Sequence, residues 1–91
     1  MGFYNACIAM VQELKKEMSR QEQLLFMDTP YTELWQHHFS VGWWIRNHYL
    51  KETDYLHKAL LVLDKGSVDE MSLFLLEFAQ QYLRLEQAGM L

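Results

Sequence analysis

Helix breakers are scarce in this sequence, and their scarcity limits the folds that the chain can adopt. One proline and four glycines occur in 91 residues, and apolar residues recur at three- and four-residue spacing almost throughout. This pattern is typical of amphipathic α-helices. A chain of this length makes about one domain. We therefore predict an all-α fold and a single helical domain over residues 1–91.

The predicted helices cover about residues 3–18, 20–27, 30–50, 54–64 and 68–86. Ser19 with Glu22 has the spacing of a capping box, in which a hydroxyl and a carboxylate satisfy free amides at a helix start. Ser67 with Glu70 repeats this spacing before the last helix. These two pairs mark the starts of the second and fifth helices.

Proline and glycine mark further boundaries. Pro30 loses no hydrogen bond at the first position of the third helix, and Thr29 precedes it as a possible cap. Gly66 and Gly89 are expected to end the fourth and fifth helices. The predicted inward residues of the first, fourth and fifth helices are Cys7, Met10 or Val11, Leu14, Met18, Tyr55 or Leu56, Leu60, Leu63, Met71, Leu75, Phe78, Tyr82 and Leu85.

The predicted third helix is apolar around most of its circumference. Its stripes comprise Tyr31, Leu34, Trp35, His38, Gly42, Ile45 and Tyr49, then Phe39, Trp43 and Leu50, with Val41 and Trp44 widening them. Such a helix is buried by other helices or by a partner. We therefore expect a compact bundle of about five helices around a central helix near residues 30–50.

The charge of the chain argues against nucleic-acid binding. Twelve acidic and eight basic residues give a formal net charge of −4, and the basic residues form no stripe on one helix. The single cysteine, Cys7, allows no intrachain disulfide. No secretion signal or membrane-length apolar segment is recognisable. We expect a cytoplasmic protein that binds neither nucleic acid nor a membrane.

Residues 37–48 carry the densest motif, His-His-Phe-Ser-Val-Gly-Trp-Trp-Ile-Arg-Asn-His. It resembles the signature of an uncharacterised bacterial family of small helical proteins, a domain of unknown function with the pattern His-Phe-Gly-Leu-Gly-x-Trp-Ile-Arg-Asn-Asn. The matching residues are His38, Phe39, Gly42, Trp44, Ile45, Arg46 and Asn47. The departures are Ser40 for glycine, Val41 for leucine and His48 for asparagine.

A second motif of that family, near Pro-Asp-Asp-Met-Ser ahead of a last helix ending in Tyr-Leu, is echoed by residues 68–72 and 82–83. Val68 stands where the family has proline. The resemblance covers about residues 33–84. It implies a helical fold and no assigned activity.

Gly42 and Arg46 predict contacts between the motif and the last helix. Glycine inside a helix costs about 1 kcal/mol relative to alanine and is tolerated where another group approaches closely, so we expect residues 71–82 to pack over Gly42. Arg46 is expected to pair with Asp69 or Glu70. In the alternative interpretation, Arg46 binds an anionic ligand or a partner's carboxylate beside a tryptophan.

The sequence lacks the patterns of catalysis and of metal binding. Cys7 lies on an apolar stripe with no basic neighbour, which predicts a buried, unreactive thiol. His37 and His38 are adjacent and point in different directions on a helix, so they do not have metal-ligand spacing. His38 is expected in the core, and His37 and His48 in solvent or at an interface. We predict no enzymatic activity, no metal and no cofactor.

The large apolar side chains exceed what a domain of this size buries easily. Such a chain buries about 60–65% of its unfolded surface, and it must place three tryptophans, five tyrosines, five phenylalanines and six methionines. Aromatic residues and methionine are enriched at interfaces. We expect a non-enzymatic protein–protein interaction module, either a homodimer or a stoichiometric inhibitor that masks another protein, of the immunity or of the phage or mobile-element anti-defence type.

The expected contact residues are Trp43, Arg46 and Tyr49, with Trp35 and His48 as secondary choices. Two alternatives stay open. In the first, all of these rings are core residues. In the second, the domain binds a small or anionic ligand in a pocket between the third and fifth helices, lined by His38, Trp44 and Arg46.

Overall fold

The computed structural model describes residues 2–91, so Met1 of the predicted domain lies outside the described residues. Within this range the chain forms five α-helices and one 3₁₀ helix: α1 (Phe3–Glu17), α2 (Arg20–Asp28), the 3₁₀ helix (Tyr31–His37), α3 (Val41–Tyr49), α4 (Tyr55–Val62) and α5 (Val68–Gln87). The all-α prediction is confirmed. No helix in the described range is long and apolar enough to cross a membrane.

The helix α5 lies at the centre of the bundle. It packs against α1, α2, the 3₁₀ helix, α3 and α4. Its buried apolar residues follow helical spacing, with positions 75 and 76 adjacent, and are Met71, Leu75, Leu76, Ala79 and Leu83. Phe78 and Tyr82 pack partly against this core, whereas Leu85, which we predicted to be buried, is exposed. The prediction that residues 30–50 form the central helix is wrong.

Residues 30–50 are divided because their hydrogen-bond pattern changes. Pro30 precedes the 3₁₀ helix, and its carbonyl accepts a bond of 2.8 Å from the amide of Glu33, three residues on. The predicted cap Thr29 instead ends α2, where its hydroxyl donates to the carbonyl of Leu25 at 2.9 Å. A turn over residues 38–40 follows. The helix α3 then begins, with the amide of Trp44 donating to the carbonyl of Ser40 at 3.1 Å.

Most of the predicted caps are present. Ser19 and Glu22 form both bonds of the capping box at the start of α2, and the hydroxyl of Ser67 accepts from the amide of Glu70 at the start of α5. Gly89 follows α5 with a φ of +71°, the left-handed conformation that commonly ends a helix. Local sequence signals therefore predicted these three boundaries.

The end of α4 differs from the prediction. Asp64 takes the left-handed conformation there, with a φ of +64°, and Gly66 does not. The short side chain of aspartate makes this conformation less costly than it is for most residues. Leu56 and Leu60 are buried as expected, but Leu63, the residue directly after the helix, is half exposed.

The apolar stripe of α1 is confirmed. Cys7, Met10, Val11 and Leu14 are buried, and Met18 packs partly against the core. Burial raises the pKa of the Cys7 thiol to about 11. The prediction of a buried thiol is therefore confirmed, and because the thiolate is the reactive form, the raised pKa agrees with low reactivity.

Candidate protein interface

The segment from the 3₁₀ helix to α3 separates aliphatic from aromatic side chains. Leu34, Val41 and Ile45 are buried. Four aromatic side chains of the same segment are instead more than half exposed: Tyr31 at 62%, Trp35 at 66%, Phe39 at 86% and Trp43 at 55%. We call these four residues the aromatic surface. Trp35 and Trp43 are among the contact residues predicted from the sequence, whereas Tyr31 and Phe39 are not.

Arg46 fastens the turn between the 3₁₀ helix and α3. Its Nη2 donates to the carbonyl of His38 at 3.0 Å, and its Nη1 lies 3.1 Å from His38 Nδ1 and 3.5 Å from Ser72 Oγ on α5. The predicted pairing of Arg46 with Asp69 or Glu70 is therefore wrong. Arg46 contacts the start of α5 through the hydroxyl of Ser72, and its guanidinium bonds to groups within the domain.

The tautomer of His38 follows from these partners. A guanidinium can only donate, so His38 Nδ1 accepts from Arg46 and the ring hydrogen of the neutral form is on Nε2. That Nε2 lies 3.9 Å from a carboxylate oxygen of Asp69. His38 is only half buried. The carboxylate expected to pair with Arg46 thus faces the histidine.

Gly42 gives Arg46 the space that it occupies. A Cβ atom added to Gly42 would lie 3.2 Å from Arg46 Nη1, 3.3 Å from the carbonyl oxygen of His37 and 3.5 Å from Leu76 Cδ1. The prediction that α5 packs over Gly42 is confirmed. The close approach also involves Arg46, a contact that the sequence did not predict.

One surface hollow, of about 390 Å³, lies where α1, α2 and α3 meet. Its walls are largely apolar, and two glutamates belong to them. The lining residues are Leu14, Glu17, Met18, Glu22, Leu25, Phe26, His37, Ser40, Val41, Trp43 and Trp44. We call it the acidic hollow.

A second hollow, of about 320 Å³, lies between the 3₁₀ helix and α5. Its lining residues are Trp35, Gln36, His38, Phe39, Asp69, Ser72, Leu73 and Leu76. The turn residues His38 and Phe39 line this hollow, whereas His37 and Ser40 line the acidic hollow. The turn therefore lies between the two hollows. Of the aromatic surface, Trp35 and Phe39 line the second hollow, and Trp43 lines the acidic hollow.

The remaining predicted contact residues lie elsewhere. His48 and Tyr49 line a third hollow, of about 560 Å³, with residues of α1 and α4. His48 stacks on Trp44 at a centroid distance of 4.4 Å. Burial, together with the charge of Glu13, raises the pKa of the half-buried Tyr49. The predicted contact residues thus do not line one common hollow.

The residues predicted for a ligand pocket are also divided. His38 and Arg46 are in contact, but Trp44 lines the acidic hollow and His38 lines the hollow beside α5. Among residues 2–91, no three histidine, cysteine, aspartate or glutamate side chains are grouped so that they could hold a metal ion.

His37 is half buried, not in solvent as one predicted alternative had it. Its Nε2 lies 2.7 Å from the hydroxyl oxygen of Thr29, and its ring packs edge-on against Phe26 at a centroid distance of 5.0 Å. The Thr29 hydroxyl already donates to Leu25, so Nε2 carries the hydrogen and donates to it. Burial lowers the pKa of His37.

Two polar residues of α5 secure the end of α2 just before the aromatic surface. Gln80 is fully buried, and its Nε2 donates to the carbonyls of Phe26 at 2.9 Å and Thr29 at 2.7 Å. Arg84 donates to the carbonyls of Met27 at 2.8 Å and Thr29 at 3.1 Å. We call this pair the α5 clasp. No local sequence signal indicates it, because each contact joins residues more than fifty positions apart.

A family model matches most of the chain. Residues 7–83 match the model described as a domain of unknown function (DUF6794). This agrees with the resemblance drawn from the motif of residues 37–48 to a small helical family without an assigned activity. No curated protein and no solved structure shows a significant match to the chain.

Proposed function

The chain belongs to the DUF6794 family, and because that family has no assigned activity, we propose a function from the surface of this chain. The domain is a non-enzymatic protein–protein interaction module, and its contact surface is the aromatic surface. The observation that carries the proposal is the exposure of four large aromatic side chains within thirteen consecutive residues, from Tyr31 to Trp43.

Exposure of this kind is costly unless a partner covers it. Single apolar side chains on a surface are ordinary, whereas several large ones on neighbouring parts of a surface are typical of interaction sites. Trp43 lines the acidic hollow on the other side of the turn from Trp35 and Phe39. Tryptophan and tyrosine are also enriched among the residues that contribute most binding free energy. Trp35 and Phe39 line the same hollow, so a partner can contact both rings at once.

The backbone that carries these rings is held in place before any partner arrives. Arg46 bonds the turn at His38, and the α5 clasp bonds the residues just before Pro30. A surface ordered in advance loses less conformational entropy on binding than a flexible loop does. This supports a preformed interface over a segment that folds on its partner.

The covering protein is either a second copy of this chain or a different protein that the domain masks with one-to-one stoichiometry. An inhibitor of the immunity or anti-defence type is an example of the second possibility, in which the domain masks a different protein. We place the function in the cytoplasm, since the free, buried Cys7 suits a reducing compartment. Nucleic acid is not part of the proposal, because the chain carries a net charge of −4.

The test compares three versions of the full-length protein, each tagged and crosslinked in its native cells. They are the wild type, a Trp35→Ala/Phe39→Ala variant, and a Tyr55→Ala/Val62→Ala variant that removes exposed apolar side chains from α4 instead. We expect the wild type and the α4 variant to retain one partner at about one copy per chain, and the aromatic variant to lose it while its circular dichroism is unchanged. Equal recovery by all three versions, or no partner with any, would contradict the proposal.

A further inference from the structure

We propose that the acidic hollow receives an arginine side chain of the partner, presented between apolar residues of a partner segment. This inference rests on the proposed function, because Trp43 belongs both to the aromatic surface and to this hollow. It adds the chemistry by which the partner is recognised.

The two glutamates make the hollow negative. The carboxylate of Glu22 accepts from the amide of Ser19 at 2.9 Å, and this bond with the backbone, together with the Ser19 hydroxyl, lowers the pKa of Glu22. Glu17 ends α1 and lines the same hollow. Among residues 2–91, no lysine or arginine lines it. Nearby Lys15 and Lys16 are paired with Glu86 and Glu13.

The tryptophans favour arginine over lysine as the cation. Trp43 is more than half exposed, and it lines the hollow together with Trp44 and the glutamates. A guanidinium stacks on an aromatic face and also donates two parallel bonds to a carboxylate. An ammonium group is a compact, strongly hydrated charge that does not match this planar arrangement.

The apolar side chains that line the hollow favour a partner segment that has apolar groups beside its arginine. Leu14, Met18 and Leu25 line the hollow, and its volume of about 390 Å³ lies within the range of about 300–1,000 Å³ that is typical of ligand pockets. Apolar side chains next to the arginine would fill the remaining space and exclude water from the ion pair. Phosphate-bearing and acidic partners would be repelled by the two carboxylates.

The experiment pans a displayed library of random twelve-residue peptides on the immobilised full-length protein. We expect the enriched peptides to share an arginine flanked by leucine, isoleucine, methionine or an aromatic residue. Replacement of that arginine by citrulline, a neutral analogue of the same shape, should weaken binding of the synthetic peptide at least tenfold. Replacement by lysine should weaken it less than citrulline does.

Matched variants locate the binding site. Glu17→Gln/Glu22→Gln keeps the capping spacing, because glutamine also serves at the third helical position, and it should weaken the peptide at least fivefold, as should Trp43→Ala. Glu52→Gln, which changes an exposed glutamate outside the hollow, should bind like the wild type.

Three results would overturn the inference: no enriched peptides, enriched peptides without arginine, or unchanged affinity in the Glu17→Gln/Glu22→Gln variant. Peptides that depend on Trp35 and Phe39 but not on the glutamates would overturn it while leaving the proposed interaction function intact. Failure of the proposed function itself is measured separately, by the recovery of the native partner in the crosslinking experiment.

Discussion

Two apolar segments of this protein differ in how they contribute to the core. The first is the helix α5, and the second comprises residues 31–50. The helix α5 is continuous over twenty residues, and it packs against all the other helices. Residues 31–50 contain a 3₁₀ helix, a turn and a short α-helix. Their aliphatic side chains are buried, and most of their large aromatic ones are exposed.

This difference shows that apolar content around a helix does not by itself place the helix at the centre of a bundle. In α5, the apolar residues buried in the core are aliphatic or methionine: Met71, Leu75, Leu76, Ala79 and Leu83. In residues 31–50, the same role falls to Leu34, Val41, Ile45 and Leu50. The aromatic side chains that made the second segment look central are mostly outside the core, where they are available to a partner.

The largest expected effect is on α5. Leu75→Ala removes a side chain with no solvent exposure and should lower the free energy of unfolding by about 2–5 kcal/mol. Leu73→Ala, on the exposed face of the same helix, should change it by less than about 1 kcal/mol. Urea denaturation measures both. Similar losses in the two variants would contradict the central position of α5.

The α5 clasp gives the next effect. Gln80→Ala leaves the carbonyls of Phe26 and Thr29 with fewer donors and should cost about 1–3 kcal/mol of unfolding free energy. Gln81→Ala, at an exposed neighbouring position, is the control and should be nearly neutral. Hydrogen exchange should also quicken at the end of α2 in the Gln80 variant. If exchange there is unchanged, the clasp does not hold the second segment in place.

Arg46→Lys tests the turn inside the second segment. Lysine keeps the charge but cannot bond Nδ1 and the carbonyl of His38 together as the guanidinium does. We expect a loss of about 1–2 kcal/mol in unfolding free energy and faster exchange over residues 38–42. The control is Lys51→Arg, an exposed basic position just beyond α3, which should have no effect. An equally small effect at Arg46 would show that the turn does not depend on this contact.

The smallest expected effect concerns pH. The pKa of His37 in the folded protein lies below its ordinary value of 6.5 because of burial, so the unfolded chain binds the proton more readily. Stability is therefore fully present above about pH 6.5 and falls as the pH drops towards the lowered value. The melting temperature should decline from pH 7.5 to 5.5 less in His37→Gln than in the wild type. Equal declines in the two proteins would contradict the role of His37.

Signals that act within a few residues predicted much of the fold. The Ser19 capping box, the Ser67 cap and Gly89 fixed boundaries because each acts on the backbone next to it. The α1 stripe was predicted because a continuous helix keeps a constant 3.6-residue period. Resemblance to the family was predicted from short motifs, and the family model confirms it.

The missed features depend on contacts between distant residues. The turn at His38 is bonded by Arg46, eight residues away, and the residues before the 3₁₀ helix are bonded by Gln80 and Arg84. No proline or glycine lies between Pro30 and Gly42 to mark the break. Without the break, the sequence pattern placed all four residues of the aromatic surface on the stripes of one continuous helix, and it gave no signal that Tyr31 and Phe39 are exposed.

The central claim, that the aromatic surface is not part of the core, is tested most directly at two adjacent positions. Leu34 is 1% exposed and Trp35 is 66% exposed. We predict by urea denaturation that Leu34→Ala lowers the free energy of unfolding by about 2–5 kcal/mol, and that Trp35→Ala changes it by less than about 0.5 kcal/mol. A loss of about 2 kcal/mol or more in Trp35→Ala would place that ring in the core and contradict the proposed surface.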